Sequence, residues 1–146
     1  MGKLNLPTSG QAYIDANIVI YSVEKIEPYC SLLFSFWQAA QHQQFQVISS
    51  DLTILETFVK PFKECDAVLE ATFRELLTAS KEVRLVPITR AILEKAALLR
   101  ATIGLKPPDA IHAATALIEE CAVFITNDMA FERVAGLNVT VLQKIL

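Results

Sequence analysis

Two short apolar runs in this sequence end on acids. Ala12-Tyr13-Ile14 runs into Asp15, and Val123-Phe124-Ile125 runs into Thr126-Asn127-Asp128. A third run, Phe45-Gln46-Val47-Ile48, leads through Ser49-Ser50-Asp51 into a helical segment whose second turn holds Glu56; Asp109 falls in the first turn of a helix begun near Pro108. In an open parallel sheet the ligand sits outside the carboxyl ends of the strands, so Asp15, Glu56, Asp109 and Asp128 can converge on one edge. Carboxylates gathered without compensation repel and raise one another's pKa, and such a set is kept mainly where a cation neutralises it. The donors are oxygens, with the Thr126 hydroxyl beside them and no thiolate or imidazole set, which selects a hard ion, Mg²⁺ or Mn²⁺. That ion suits phosphate-ester hydrolysis, because it acidifies a bound water, holds a phosphate oxygen and stabilises the departing alkoxide. Singly, each acid has a plainer reading: strand-terminal turns for Asp15 and Asp128, a dipole-favoured first-turn acid for Asp109, a solvated helix residue for Glu56. Their common location favours the chemical one.

The elements that must position these acids can be read from periodicity. Candidate strands are Ala12–Asp15, Phe45–Ile48, Val83–Val86, Val123–Thr126 and Val139–Leu142, separated by longer segments of helical period. Ile92, Ala96, Leu99 and Ile103 form one apolar stripe, and Leu69, Phe73, Leu76 and Leu77 another. The Pro108 helix is expected to turn Ile111, Ala114, Leu117, Ile118 and Cys121 inward. Strands alternating with helices imply right-handed crossovers, hence an α/β fold: a three-layer α/β/α sandwich on a mainly parallel sheet of about five strands. Residues 1–146 contain no linker, repeat or low-complexity tract and are read as one domain.

Hydrophobic residues make up 53% of the chain, and Tyr29 to Ala40 is apolar on nearly every side, more than one core face requires. Its second face is a candidate contact for a second copy or another partner, the alternative being a helix buried among its own neighbours. No apolar run approaches the roughly 18 residues that cross a bilayer. The N-terminal residues lack the stretch of a signal peptide, so a cytoplasmic protein without membrane association is expected. Thirteen basic against sixteen acidic residues give a charge of −3, so contact with nucleic acid must come from a local basic patch. Cys30, Cys65 and Cys121 have no metal-binding spacing and are expected to be buried, reduced thiols.

Four segments carry a family resemblance. Ile14-Asp15-Ala16-Asn17-Ile18-Val19-Ile20-Tyr21, Leu52-Thr53-Ile54-Leu55-Glu56, Pro108-Asp109-Ala110-Ile111-His112-Ala113-Ala114-Thr115-Ala116 and Phe124-Ile125-Thr126-Asn127-Asp128-Met129-Ala130-Phe131 resemble the four ordered motifs of the PIN domain, across nearly the whole chain from Tyr13. The resemblance implies a metal-dependent ribonuclease that prefers single strands, and bacterial members of this size are commonly VapC-type toxins held by a cognate antitoxin. By position, Asp15, Glu56, Asp109 and Asp128 then match the acidic quartet that binds metal. Thr126 matches a hydroxyl that supports the metal or its water, and Asn17 a polar residue that orients the first aspartate. An RNA substrate, an antitoxin and a homodimer are the partners implied.

Around the quartet, RNA phosphates need cations, for which Lys60, Lys63, Lys106 and Arg133 are the candidates. Solvated surface charge is the bland account of each. Asp51, at a helix start, reads as an N-cap instead of a ligand. His112, one turn beyond Asp109, is placed to reach a scissile phosphate, although a partly buried helix position is the better explanation of it. Two other readings compete. A haloacid-dehalogenase-like phosphatase also puts a nucleophilic aspartate after its first strand, but Asn17 stands where a second aspartate is usual. A non-catalytic PIN-like module binding RNA or protein gains nothing from four acids held together.

Overall fold

The computed structural model describes residues 2–146. Five strands, β1 (Gln11–Ile14), β2 (Gln46–Ser50), β3 (Val83–Val86), β4 (Val123–Thr126) and β5 (Val139–Val141), form one sheet in the order β3-β2-β1-β4-β5. Every neighbouring pair is parallel. Central strands of such a sheet are covered on both faces, which is why β1 and β4 read as unbroken apolar runs with no polar alternation. From β1 the chain travels outward through β2 to β3, then returns to lay β4 on the other side of β1. The order therefore reverses between β1 and β4, and a crevice opens at their carboxyl ends.

Helices α1 (Ala16–Val23), α2 (Tyr29–Leu32), α3 (Phe34–Gln41), α4 (Leu52–Lys63) and α5 (Ala67–Arg74), the last continued by a π-helical turn at Glu75–Ala79, supply one face. Ile18, Leu33, Phe36, Phe58, Phe73 and Leu77 pack there on Ala12, Ile14, Val47, Val123 and Ile125. Helices α6 (Arg90–Ile103) and α7 (Pro107–Ile118) supply the other, where Ile92, Ala96, Leu99 and the α7 alanines meet Tyr13, Ile48 and Phe124. Alternate residues of each strand thus serve opposite layers, as the pleat requires. The result is the expected α/β/α sandwich. The α6 stripe is buried at Ile92, Ala96 and Leu99, its N-terminus is capped by Thr89, and Gly104 ends it in the left-handed conformation at φ 70°.

Several expectations are corrected. Of the five residues expected inward only Ala114 is fully buried; Ile118 is exposed, Cys121 lies beyond the end of α7, and the buried set on that helix is Ala110 and His112 to Ala116. With small residues on most sides, α7 sinks between sheet and α6 on a face that apolar periodicity does not mark. The stretch Tyr29–Ala40 breaks at Leu33 into two short helices, and Leu32, Leu33, Phe36 and Ala40 are spent in the core. Phe34 is left exposed, and Trp37 is half-buried beside a groove of about 930 Å³ that Val23, Val68 and Leu76 also line. The cysteines are free, but none is fully buried: Cys65 is exposed and the other two are intermediate. Partial burial pushes the Cys121 thiol up to about 12. Among the described residues no helix is long and apolar enough to cross a membrane.

Candidate active site

Asp15 directly follows β1 and caps α1, its Oδ1 accepting a long bond of 3.4 Å from the Ile18 N–H. The register Ile14 opposite Ile125 brings the next residues, Asp15 and Thr126, side by side. Thr126 donates its hydroxyl to Asp15 Oδ2 over 2.6 Å and accepts the Asp128 N–H over 3.0 Å. Asp128 in turn accepts the Ala130 N–H over 2.8 Å, opening a 3₁₀ turn at Met129–Arg133. One hydroxyl therefore joins the acids that follow β1 and β4.

Glu56 arrives from the other side of β1. Ser49, at the end of β2, donates to the Ile14 carbonyl over 2.7 Å and shares a second bond of 2.7 Å with Thr53 on α4. Those buried bonds fasten α4 to the end of β1, and Glu56 stands one turn after Thr53. Its Oε1 lies 2.6 Å from His112 Nε2, and His112 Nδ1 lies 2.6 Å from the Tyr13 hydroxyl. Asp109 sits one turn before His112 in the first turn of α7, where two prolines at the helix start remove N–H groups that would have no helical partner.

The four acids line one cavity of about 70 Å³ with Ala16, Asn17 and His112. Burial pushes the Asp15 carboxyl above its ordinary value, against the opposing influence of His112 and of the Thr126 hydrogen bond. Asp109 is raised by burial and then by the Asp128 charge, with Glu56 adding to it and His112 and Lys106 opposing. The cavity thus holds more negative charge than its surroundings neutralise, and its donors are hard oxygens, which fits a divalent cation. Among the described residues no three His, Cys, Asp or Glu side chains close into a ready-made cage. Such an open ring fits an ion that keeps much of its water, as Mg²⁺ does when it takes only one or two carboxylates directly.

Other sequence candidates fall differently. Asn17 lines the cavity but is exposed, and the Asp15 oxygens are held by Thr126 and the Ile18 N–H. Asp51 makes no capping bond; Ser50 Oγ takes the Leu52 N–H instead, so the cap expectation is corrected. Lys60 is paired with Glu24 at 2.5 Å, and the Arg133 guanidinium donates to the Ile103 carbonyl over 2.7 Å. Lys63 and Lys106 are exposed, Lys106 just before the helix that bears Asp109. Tyr13 escaped the sequence reading, because a tyrosine inside an apolar strand looks like core and nothing local reveals its partner.

The PIN domain family model matches residues 12–137. Among solved structures, the chain is similar to a toxin–antitoxin complex from Klebsiella pneumoniae, at 27% identity and a TM-score of 0.68 over 89% of this chain and 96% of that one. It is similar in fold to VapC20 of Mycobacterium tuberculosis, described as a sarcin–ricin loop cleaving toxin, at 16% identity and a TM-score of 0.71 over 86% and 95%. A third likeness is to VapBC2 of Rickettsia felis bound to a DNA fragment of its promoter, at 14% identity and a TM-score of 0.70 over 90% and 98%. No curated protein matches significantly.

Proposed function

Because this chain belongs to the PIN domain family, we propose that it is a divalent-metal-dependent endoribonuclease and the toxin of a toxin–antitoxin pair. The observation that carries the proposal is the convergence of Asp15, Glu56, Asp109 and Asp128 on one small cavity at the carboxyl edge of the sheet. In this reading the four carboxylates hold Mg²⁺ or Mn²⁺. When bound, the ion would supply an acidified water and charge stabilisation at the phosphate. The chain's own residues do the rest. Thr126 fixes Asp15 and, through the Asp128 N–H, the turn after β4; Asn17, on the cavity wall, is free to meet substrate; Lys63 and Lys106 offer cations to flanking phosphates.

The likeness to a Klebsiella pneumoniae toxin–antitoxin complex supports an antitoxin as partner. Leu55, Val59 and Phe62, exposed on successive turns of α4, support a further contact, for which we propose a homodimer. Sedimentation at micromolar concentration tests that, and a strict monomer would remove it. For the activity, structured RNAs are incubated with the protein in Mn²⁺ and in EDTA, and the ends are mapped. Cleavage at defined positions in Mn²⁺ alone is expected. Binding without cleavage under both conditions would instead point to a non-catalytic module.

A further inference from the structure

Tyr13, His112 and Glu56 form one line of hydrogen bonds from the middle of the sheet to the wall of the acidic cavity. Two of the three are inaccessible: Tyr13 is fully buried and His112 is 2% exposed. Tyr13 is itself fixed, its ring stacked on Phe124 at 4.9 Å, while Phe124 packs on Phe131 at 4.5 Å. The His112 ring stands edge-on to Tyr13, at 73°. A carboxylate can only accept, so the Glu56 bond requires a hydrogen on His112 Nε2. In a neutral ring Nδ1 is then an acceptor, and the Tyr13 hydroxyl is the donor that satisfies it.

We propose that His112, locked by Tyr13 in its Nε2–H tautomer, is a positioning residue that holds Glu56 Oε1 and presents the second oxygen to the ion in the cavity. This rests on the metal-site reading above. The location of α4 does not need His112, because Ser49, Thr53 and Phe58 secure that helix. What His112 adds is the conformation of one long side chain. Glu56 is partly exposed and has three rotatable bonds, so without His112 its carboxylate would have to be ordered when the ion arrives. Outer partners that orient a ligand in this way commonly change metal affinity by about 10- to 100-fold.

The test measures Mn²⁺ binding to the intact chain at fixed pH, from the electron paramagnetic resonance signal of free Mn²⁺, with ¹⁵N shifts of the His112 imidazole as a second readout. His112→Ala is expected to bind Mn²⁺ roughly 10- to 100-fold more weakly. His112→Gln, whose amide N–H can replace the Nε2–H, should recover most of the loss. Tyr13→Phe, lacking one hydroxyl, should fall between them and lose the single Nε2–H tautomer seen in the wild type. Should His112→Ala fail to fold, Tyr13→Phe and His112→Gln decide the matter. Mn²⁺ binding by the wild type with unchanged affinity in His112→Ala or Tyr13→Phe, or a wild-type ring that is the Nδ1–H tautomer or doubly protonated, would overturn the inference alone. A wild type that binds no Mn²⁺ would defeat the metal reading and this inference together.

Discussion

Thr126 gives its hydroxyl hydrogen to Asp15 Oδ2 over 2.6 Å, so the last residue of β4 fixes the first acid after β1. The same oxygen accepts the Asp128 N–H, and Thr126 and Asp15 are both buried. A valine in its place would match the shape but leave a buried carboxylate oxygen and an amide without their partner. Thr126→Val should therefore cost about 1–3 kcal/mol of stability in denaturant melts. Cleavage should fall further than Tm alone explains, by roughly 10- to 100-fold, since the carboxylate loses its orientation. Thr126→Ser keeps the hydroxyl and should retain most activity; equal losses in the two variants would mean that the methyl packing, not the bond, matters.

Burial lifts the carboxyls of Asp15 and Asp109 above their ordinary value of 3.8. A raised folded-state pKa contributes stability that is complete below the unfolded value and lost as pH rises through the folded value. At neutral pH the metal-free protein thus carries two poorly neutralised acids. In EDTA at pH 7, Asp109→Asn should melt higher than the wild type, and the advantage should shrink as pH falls toward the ordinary carboxylate range. Each kcal/mol gained corresponds to roughly 2–4 °C in a domain of this size. A lower Tm for Asp109→Asn under these conditions would contradict the charge account.

Adding Mn²⁺ should reverse that order. An ion that binds only the folded state stabilises it with the logarithm of its concentration once that exceeds the Kd, so the wild-type Tm should climb with Mn²⁺. The Asp15→Asn/Asp109→Asn double variant should respond far less. Each single variant should also cleave RNA at least about a hundredfold more slowly, a barrier increase of roughly 2.7 kcal/mol. Equal thermal shifts in wild type and double variant, or near-normal cleavage by either single variant in saturating Mg²⁺, would remove the quartet as the metal site.

Much of this arrangement is legible in the sequence where the signal is local. Asp15 and Asp128 stand out because each ends a buried run, and the strand runs themselves locate all five strands to within a residue or two. Helix α7 shows where such reading fails. Its run of alanines packs on several sides, so period alone chose Leu117 and Ile118 as inward, while His112 took the buried place. Partners far apart in the chain are invisible for another reason: Tyr13 and His112 are 99 residues apart and meet only because α7 packs on the face of the sheet to which Tyr13 points. Lys60 is a smaller instance, since its partner Glu24 lies on the loop after α1, 36 residues earlier.

That pairing separates the basic residues by what they can still offer to RNA. Glu24 holds the Lys60 ammonium at 2.5 Å and raises its pKa through the hydrogen bond and the charge. Lys60 reaches a phosphate only by leaving Glu24, whereas the exposed Lys63 and Lys106 need give up less. For single strands, each phosphate contact contributes about 0.7 to the slope of log affinity against log salt. In the Asp109→Asn background, chosen to slow cleavage during the measurement, Lys63→Ala/Lys106→Ala should lower that slope by about 1.4. Lys60→Ala should leave it nearly unchanged. Glu24→Gln frees the ammonium and should tighten binding at low salt, an effect that adding Lys60→Ala abolishes. If Lys60→Ala alone reduced the slope as much as the double variant, the Glu24 pair would not survive RNA binding, and Lys60 would belong to the phosphate path.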